Sequence, residues 1–434
     1  MTSSERPMLN LESIAGDTIP AGTKGLPPAA AGRPRRDVGE RGYNLLAGDI
    51  PLPACVLSRE AISHNRAIMR EFTQRMGVLL APHGKSTMAP QLFAEQLDDG
   101  AWAMTAATPA HLFAYRSVNV PRILYANQLV DPIAIAFVLD ELERDPAFEF
   151  TCLVDSVAGA DILTDAVRAR RTARPLDVLI EFGIAGGRTG VRRQDQALLL
   201  ARHIASSSPF LRLRGVEAFE GIVSVGTDAG AKSVTELLDN VAQLTTTLAA
   251  DHLFGELPPI ISVGGSAYFG LVAQHLKALP LRAQIVLRSG CYLTNDHGMY
   301  AGAQASETHR GHLTLAAPLE PAIEVWAHVQ SRPEPRLAFL TLGKRDISHD
   351  IEMPIPVKWA RQGAREIQKL GSDFRIEGLN DQHARLLLPE SHALAVGDRV
   401  ALGCSHPCTT FDKWRSILMV DSAYNVVDTI ATLF

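Results

Sequence analysis

The sequence predicts a (β/α)8 TIM barrel followed by a C-terminal antiparallel β domain, and three observations carry that reading. Short β-rich apolar runs alternate with longer segments of helical pattern from residue 58 onward, which is the mark of βα units and a parallel sheet. Eight such runs fall in about 230 residues, the size of a TIM barrel. After about residue 310 the rhythm changes to β-rich segments separated by Pro and Gly turns. A doubly wound open sheet is the competing architecture, because closure of a sheet leaves no trace in the sequence.

In chain order, residues 1–45 are rich in Pro, Gly, Ala, Ser and Arg without apolar periodicity, and are expected to be a flexible tail. Within them RPRRDVGER, 33–41, reads as a solvated charged run. The barrel is expected over 46–310. Its candidate strands are VLLA at 78, AWAMT at 101, ILYAN at 123, FTCLV at 150, VLIEF at 178, GVEAF at 215, IISV at 260 and IVLR at 285. Segments such as PIAIAFVLDELE and RQDQALLLARHIA between them are long enough for a helix each. The β domain, 311–434, is expected to use AIEVWAHVQ, RLAFLTLG, ARLLLP, DRVALGC, SILMV and NVVDTIATL.

A chain of 434 residues that is 46% hydrophobic and 21% charged can bury two cores. Its net charge of −5 argues against neutralising phosphate backbones or an anionic membrane as the main task, so neither nucleic acid nor membrane is an expected partner. Five scattered cysteines are too sparse to staple a chain of this size and suit a reducing compartment. With no apolar window near ~18 residues and no signal-peptide pattern, the expectation is a cytoplasmic protein.

Reaction centres of such barrels sit at the C-terminal ends of the strands, so the segments that follow each strand are where chemistry is expected. The first strand is followed by Pro82-His83-Gly84-Lys85, where a lysine at a barrel rim, desolvated, is a candidate nucleophilic amine for a Schiff base. After the fifth comes a glycine-rich turn with one fixed cation, Arg188. After the seventh, Gly264-Gly265-Ser266 opens a helical segment, and glycines let backbone N–H groups approach a phosphate closely. After the eighth, Gly290-Cys291-Tyr292 extends that grip. In the β domain, His406 and Cys408 lie two residues apart; in an extended segment both would face one ion, and imidazole with thiolate suits zinc. Cys404 offers a rival ligand set that would make the site more closed.

PHGK, an E-x-G…GRTG segment, SVGGS, LRSGCY…ND and H-P-C occur in the order found in the D-serine dehydratase and D-threonine aldolase family of alanine-racemase-like enzymes, which this chain resembles from about residue 50 to its end. The resemblance implies a barrel that binds pyridoxal 5′-phosphate (PLP), a homodimer and a small D-amino acid substrate. It implies that Lys85 carries the cofactor with His83 beside it, that Gly264, Gly265, Ser266, Gly290 and Cys291 cradle the phosphate, and that Tyr292 and Arg188 stand against the cofactor. His406 and Cys408 match the family's metal pair, with Zn2+ expected and Mn2+ as the other candidate; the aldolases tend to carry an oxygen ligand in the second place. Phe182, Phe219, Ile222 and the run from Gly343 to Ser348 depart from the family pattern on the substrate side. The implied activity is a PLP- and zinc-dependent lyase that dehydrates and deaminates D-3-hydroxy amino acids to a 2-keto acid and ammonia. The alternatives are a metal-dependent D-threonine-type aldolase giving glycine and an aldehyde, and a PLP-binding protein without catalysis.

Overall fold

Seven small or branched side chains fill the inside of the first domain: Ala81, Ala103, Leu124, Leu153, Leu179, Ile260 and Val286, all buried. They come from seven different strand segments, which only a closed sheet brings to one axis. A computed structural model, describing residues 9–434, shows that sheet. A first strand, β1 (Ala54–Ser58), stands outside it. The barrel strands are β2 (Leu79–Leu80), β3 (Met104–Ala106), β4 (Arg122–Gln128), β5 (Glu149–Val154), β6 (Leu176–Glu181), β7 (Leu211–Glu217), β8 (Ile260–Ser262) and β9 (Gln284–Leu287).

All eight coincide with the sequence-derived runs and pair in parallel in the order β2-β9-β8-β7-β6-β5-β4-β3. The ring closes between β2 and β3 through Trp102 N–H to Leu80 O (2.6 Å) and Thr105 N–H to Pro82 O (2.9 Å), with a parallel bridge of His83 to Thr105. Closure excludes the open sheet. The strand-to-helix turns follow from local sequence: Thr108, Asp131, Ser156 and Thr227 each accept a backbone N–H of the first helical turn. Pro109 and Pro132 pre-set the first helical residue after two of these caps.

The second sheet is built from β10 (Ile323–Glu334), β11 (Leu337–Leu340), β12 (Ile355–Ala360), β13 (Gln368–Lys369), β14 (Arg375–Leu379), β15 (Ala384–Leu387), β16 (Arg399–Gly403), β17 (Ser416–Val420) and β18 (Val426–Ala431). Strands β12, β13 and β14 were not among the expected runs; Pro356, Lys358 and Gly378 interrupt their alternation. The pairing is antiparallel except at one place. β1 lies between β10 and β17, antiparallel to the former and parallel to the latter.

That insertion corrects the expected domain boundary. Residues 46–58 belong to the β domain, and the barrel proper begins with the helix Arg59–Met76 that leads into β2.

The tail expectation also fails for residues 9–45, while residues 1–8 lie outside the described part. Ile19, Leu26, Val38, Leu45 and Leu46 pack on Val56, Trp326, Leu418 and Val426 of the second sheet. Arg35 of the supposed solvated run is buried, with Nη1 donating to Ser416 Oγ at 2.5 Å, and Leu45 N–H donates to Tyr424 O at 3.1 Å. The apolar residues here are isolated and follow no helical or strand period, so each fills a separate notch and no pattern announces them. Among the described residues no helix is long and apolar enough to cross a membrane.

Leu45 is 1% exposed. Leu45→Ala is expected to cost about 2–5 kcal/mol, read as a lowered urea midpoint. A mobile segment would tolerate the change without effect.

Candidate functional site

At the C-terminal mouth of the barrel a cavity of ≈ 280 Å³ is lined by His83, Lys85, Arg188, Glu217, Phe219 and Arg288, among others. Lys85 lies on the one-turn helix Gly84–Ser86, directly after the closing strand, with its side chain exposed at the rim. Gly84 lets this turn lie flat, since a Cβ there would run into the Tyr115 hydroxyl; that hydroxyl is itself held by Thr105 O at 3.2 Å.

Two imidazoles flank the lysine. Burial, followed by the positive charges of Lys85 and Arg288, holds His83 well below the usual histidine range, and its Nδ1 is buried without a partner. Burial and then Lys85 push His111 down to about 4. Its Nδ1 accepts the Ala107 N–H at 3.3 Å, an arrangement that requires the ring nitrogen to be unprotonated.

The floor is a buried ion pair. Arg288 Nη2 meets Glu217 Oε1 at 2.5 Å, and the guanidinium also donates to Ser262 O (2.6 Å), Ser262 Oγ (2.8 Å) and Ala218 O (3.0 Å). Burial pushes Glu217 up to about 8, with Arg288 pulling the other way. Arg188 spans the opposite wall, exposed and 4.6 Å above the Phe219 ring.

Beside the cavity the turn after β8 forms an anion nest. Gly264 has φ +100°, and a Cβ there would meet Leu287 Cδ2 at 2.6 Å. The N–H groups of Gly264 and Gly265 converge on the buried Glu220 carboxylate, at 3.4 and 2.5 Å. These amides therefore already grip one anion. Ser266 Oγ accepts the Cys291 N–H at 3.1 Å, which joins the turns after β8 and β9. Gly290 is required by close approach, because a Cβ would meet His83 O at 2.5 Å and Ser86 Oγ at 2.7 Å. The Tyr292 ring lines a small void with Ser266, Cys291 and Tyr300, but its hydroxyl is taken by Gln96 Nε2 at 3.2 Å. That hydroxyl belongs to the helix layer, and Tyr300 stands at the cysteine instead.

The β domain reaches this mouth with residues 404–411. The extended segment expected around His406 and Cys408 is absent, since Pro407 has helical torsions and Cys408 opens the turn Cys408–Phe411. His406 Nδ1 binds Asp350 Oδ2 at 2.6 Å, which leaves Nε2 for a ligand. Asp350 Oδ1 also accepts from Thr409 Oγ1 at 2.8 Å. Cys408 Sγ faces Cys291 Sγ at 3.4 Å, and Ser86 Oγ lies 3.5 Å from the latter sulfur. The hydrogen bond between the two thiols pulls Cys291 below the usual thiol range and pushes Cys408 above it. The rival ligand Cys404 is buried elsewhere in the domain, its thiol pushed up to about 12 by burial. Among the described residues no group of three or more His, Cys, Asp and Glu side chains is gathered to hold a metal ion.

The structure thus brings Lys85, His83, Arg188, the glycine turns and Cys408 to one mouth. Sequence reasoning passed over Glu217, Glu220, Arg288, Asp350, Ser86 and Tyr300. Glu217 and Arg288 sit at the ends of counted strands, where the same rule that found Lys85 applies. Asp350 is 56 residues from His406 and gives no local signal.

Comparison with known proteins agrees with this architecture. The model of the putative serine dehydratase domain matches residues 322–420. The D-threonine aldolase of Arthrobacter sp. is 23% identical over 418 residues, 95% of each chain. The D-threo-3-hydroxyaspartate dehydratase of Delftia sp. (strain HT23) is 30% identical over 169 residues, 39% of this chain and 43% of the relative. The crystal structure of the Filomicrobium marinum D-threonine aldolase superposes with a TM-score of 0.72 at 21% identity, covering 90% of this chain and 97% of that one. A cysteine-to-alanine variant of the D-threo-3-hydroxyaspartate dehydratase, in its metal-free form, gives 0.69 at 22% identity, covering 90% and 99%. The chain is thus similar to a D-threonine aldolase along nearly its whole length and to the putative serine dehydratase domain over residues 322–420.

Proposed function

We propose that the protein is a PLP-dependent lyase of D-3-hydroxy amino acids, removing the β-hydroxyl and the amino group to give a 2-keto acid and ammonia. The observation that carries the reading is the convergence of one lysine, an anion nest and a carboxylate-backed histidine with a thiol at a single barrel mouth.

The residues present fit the cofactor. The cavity has one amine at its rim, and the Gly264 and Gly265 amides hold a carboxylate, a chemical stand-in for a phosphate oxygen. Gly290 keeps the adjoining wall bare of a side chain. Lys85 would hold PLP, with the glycine turns on its phosphate and His83 and Arg188 along the ring. When bound, PLP supplies an electron sink for negative charge at the substrate Cα. Lys85 Nζ is the base for the α-proton, being the amine that borders the cavity.

His406 and Cys408 are the pair that would hold zinc, leaving open positions for substrate. Asp350 fixes the His406 ring through Nδ1, the arrangement found behind metal-ligating histidines. There the metal would supply Lewis acidity to the β-hydroxyl, a poor leaving group unaided. The exposure of Lys85 at the rim supports a homodimer in which a second copy covers the mouth.

A second reading is favoured by the D-threonine aldolase that is 23% identical over 95% of this chain: cleavage of Cα–Cβ to glycine and an aldehyde, with the same lysine and metal pair. The thiol at Cys408 weighs toward dehydration. A panel of D-3-hydroxy amino acids assayed for ammonia and for aldehyde separates the two.

Borohydride treatment of the holoprotein is expected to fix the cofactor on Lys85, seen by peptide mass, and Lys85→Ala should fix none; trapping on another side chain overturns the assignment. His406→Ala should keep the cofactor absorbance and lose keto-acid formation by on the order of 10²–10³-fold. A wild-type rate without metal removes zinc from the reaction. His111 is neutral in the fold down to about 4, whereas the unfolded chain takes up its proton near 6.5, so its contribution to stability is present above 6.5 and is lost as pH falls toward 4. The urea midpoint of His111→Gln should fall less than that of the wild type between those values.

A further inference from the structure

Cys291 and Cys408 come from different domains, one from the turn after β9 and the other from the helical turn that carries the H-P-C segment. Their sulfurs stand 3.4 Å apart in a partly buried contact, 117 residues apart in sequence, and both are free thiols. The remaining cysteines are differently placed: Cys55 and Cys152 lie in strands and Cys404 in the β-domain core, all buried. The two thiols also differ in access. Cys291 is 4% exposed, whereas Cys408 is half-buried.

We propose that Cys291 and Cys408 form a reversible redox pair that a hydroperoxide closes to a disulfide, sewing the barrel to the β domain across the mouth. Cys408, the more accessible sulfur, attacks the peroxide oxygen as its proton shifts to the Cys291 sulfur 3.4 Å away; the O–O bond breaks, water or an alcohol leaves, and the sulfur becomes a sulfenic acid. The Cys291 sulfur then attacks that sulfur, the S–O bond breaks, and the oxygen leaves as a second water with the thiol proton. Two thiols and one hydroperoxide thus give one disulfide, one water and one water or alcohol, with two electrons passing to the peroxide. The sulfurs need only close from 3.4 Å to about 2.05 Å, the bond length of a disulfide. Cross-linking takes Cys408 out of the pair with His406, so the same event would switch off the metal-assisted reaction. That last consequence rests on the proposed function, whereas the cross-link rests on geometry alone.

The test uses the full-length protein, freed of metal by a chelator and treated with a small excess of hydrogen peroxide. Titratable thiols counted after denaturation are expected to fall from five to three and to return to five with dithiothreitol. A non-reducing peptide map should contain one linked pair joining the Cys291 and Cys408 peptides. In Cys291→Ser, Cys408 should remain as a sulfenic acid that dimedone captures. A count that stays at five, a map that links Cys55 to Cys404, or a wild-type Cys408 carried to sulfinic acid with no linked peptide overturns the proposal. None of these readouts involves catalysis, so failure of the lyase reading leaves the result interpretable.

Discussion

The β2–β3 seam governs the candidate site because the strand that closes the barrel also leads directly into Lys85, the amine proposed to act there. β2 is only two residues long, and closure is completed by the loop beyond it, through Pro82 O, the His83 to Thr105 bridge and Thr105 Oγ1 on Ala81 O at 2.6 Å. Lys85 therefore leaves the ring from a backbone pinned on both sides, by β9 through His83 N–H to Arg288 O (3.2 Å) and by β3 through Thr105. Gly84 and Gly290 permit that proximity, since a side chain at either would push the seam open. The proposed role needs an amine set on a fixed backbone, and the hydrogen bonds that close the barrel also fix the backbone that carries Lys85.

Charge at the mouth follows from the same packing. Lys85, Arg188 and Arg288 border one cavity, with Glu217 as the acid among them. His83 and His111 are kept neutral by burial and by these cations, so the mouth gathers positive charge from fixed groups alone. Such a mouth attracts the carboxylate and phosphate of small anionic ligands.

The alternation of runs made the eight barrel strands legible, because buried parallel strands are short, apolar and bounded by turn residues. The rule that chemistry follows the strand ends singled out Lys85, Arg188 and the glycine turns, and the structure brings Lys85 and Arg188 to one cavity. What escaped was set by long-range contact. Residues 9–45 carry a composition shared by mobile segments, yet Ile19, Leu26 and Leu45 are buried by a sheet formed hundreds of residues later. β1 resembles a barrel strand in isolation; its partners, β10 and β17, decide otherwise. Tyr292 sits in the LRSGCY segment, but only packing reveals that its hydroxyl turns to Gln96. The expectation that His406 and Cys408 share a face assumed an extended backbone, which Pro407 replaces with a helical one.

The placement of β1 between β10 and β17 also bears on how the chain matures during synthesis. Its hydrogen-bonding edges and the apolar residues of 9–50 leave the ribosome some 270 residues ahead of their first partner strand and more than 350 ahead of their last. The barrel, whose strands are consecutive, can be complete while this leading segment still has nothing to dock on. An unsatisfied strand edge beside Val56 and Leu57 is an adhesive surface, so the nascent protein depends on that segment being shielded until Val420 has emerged.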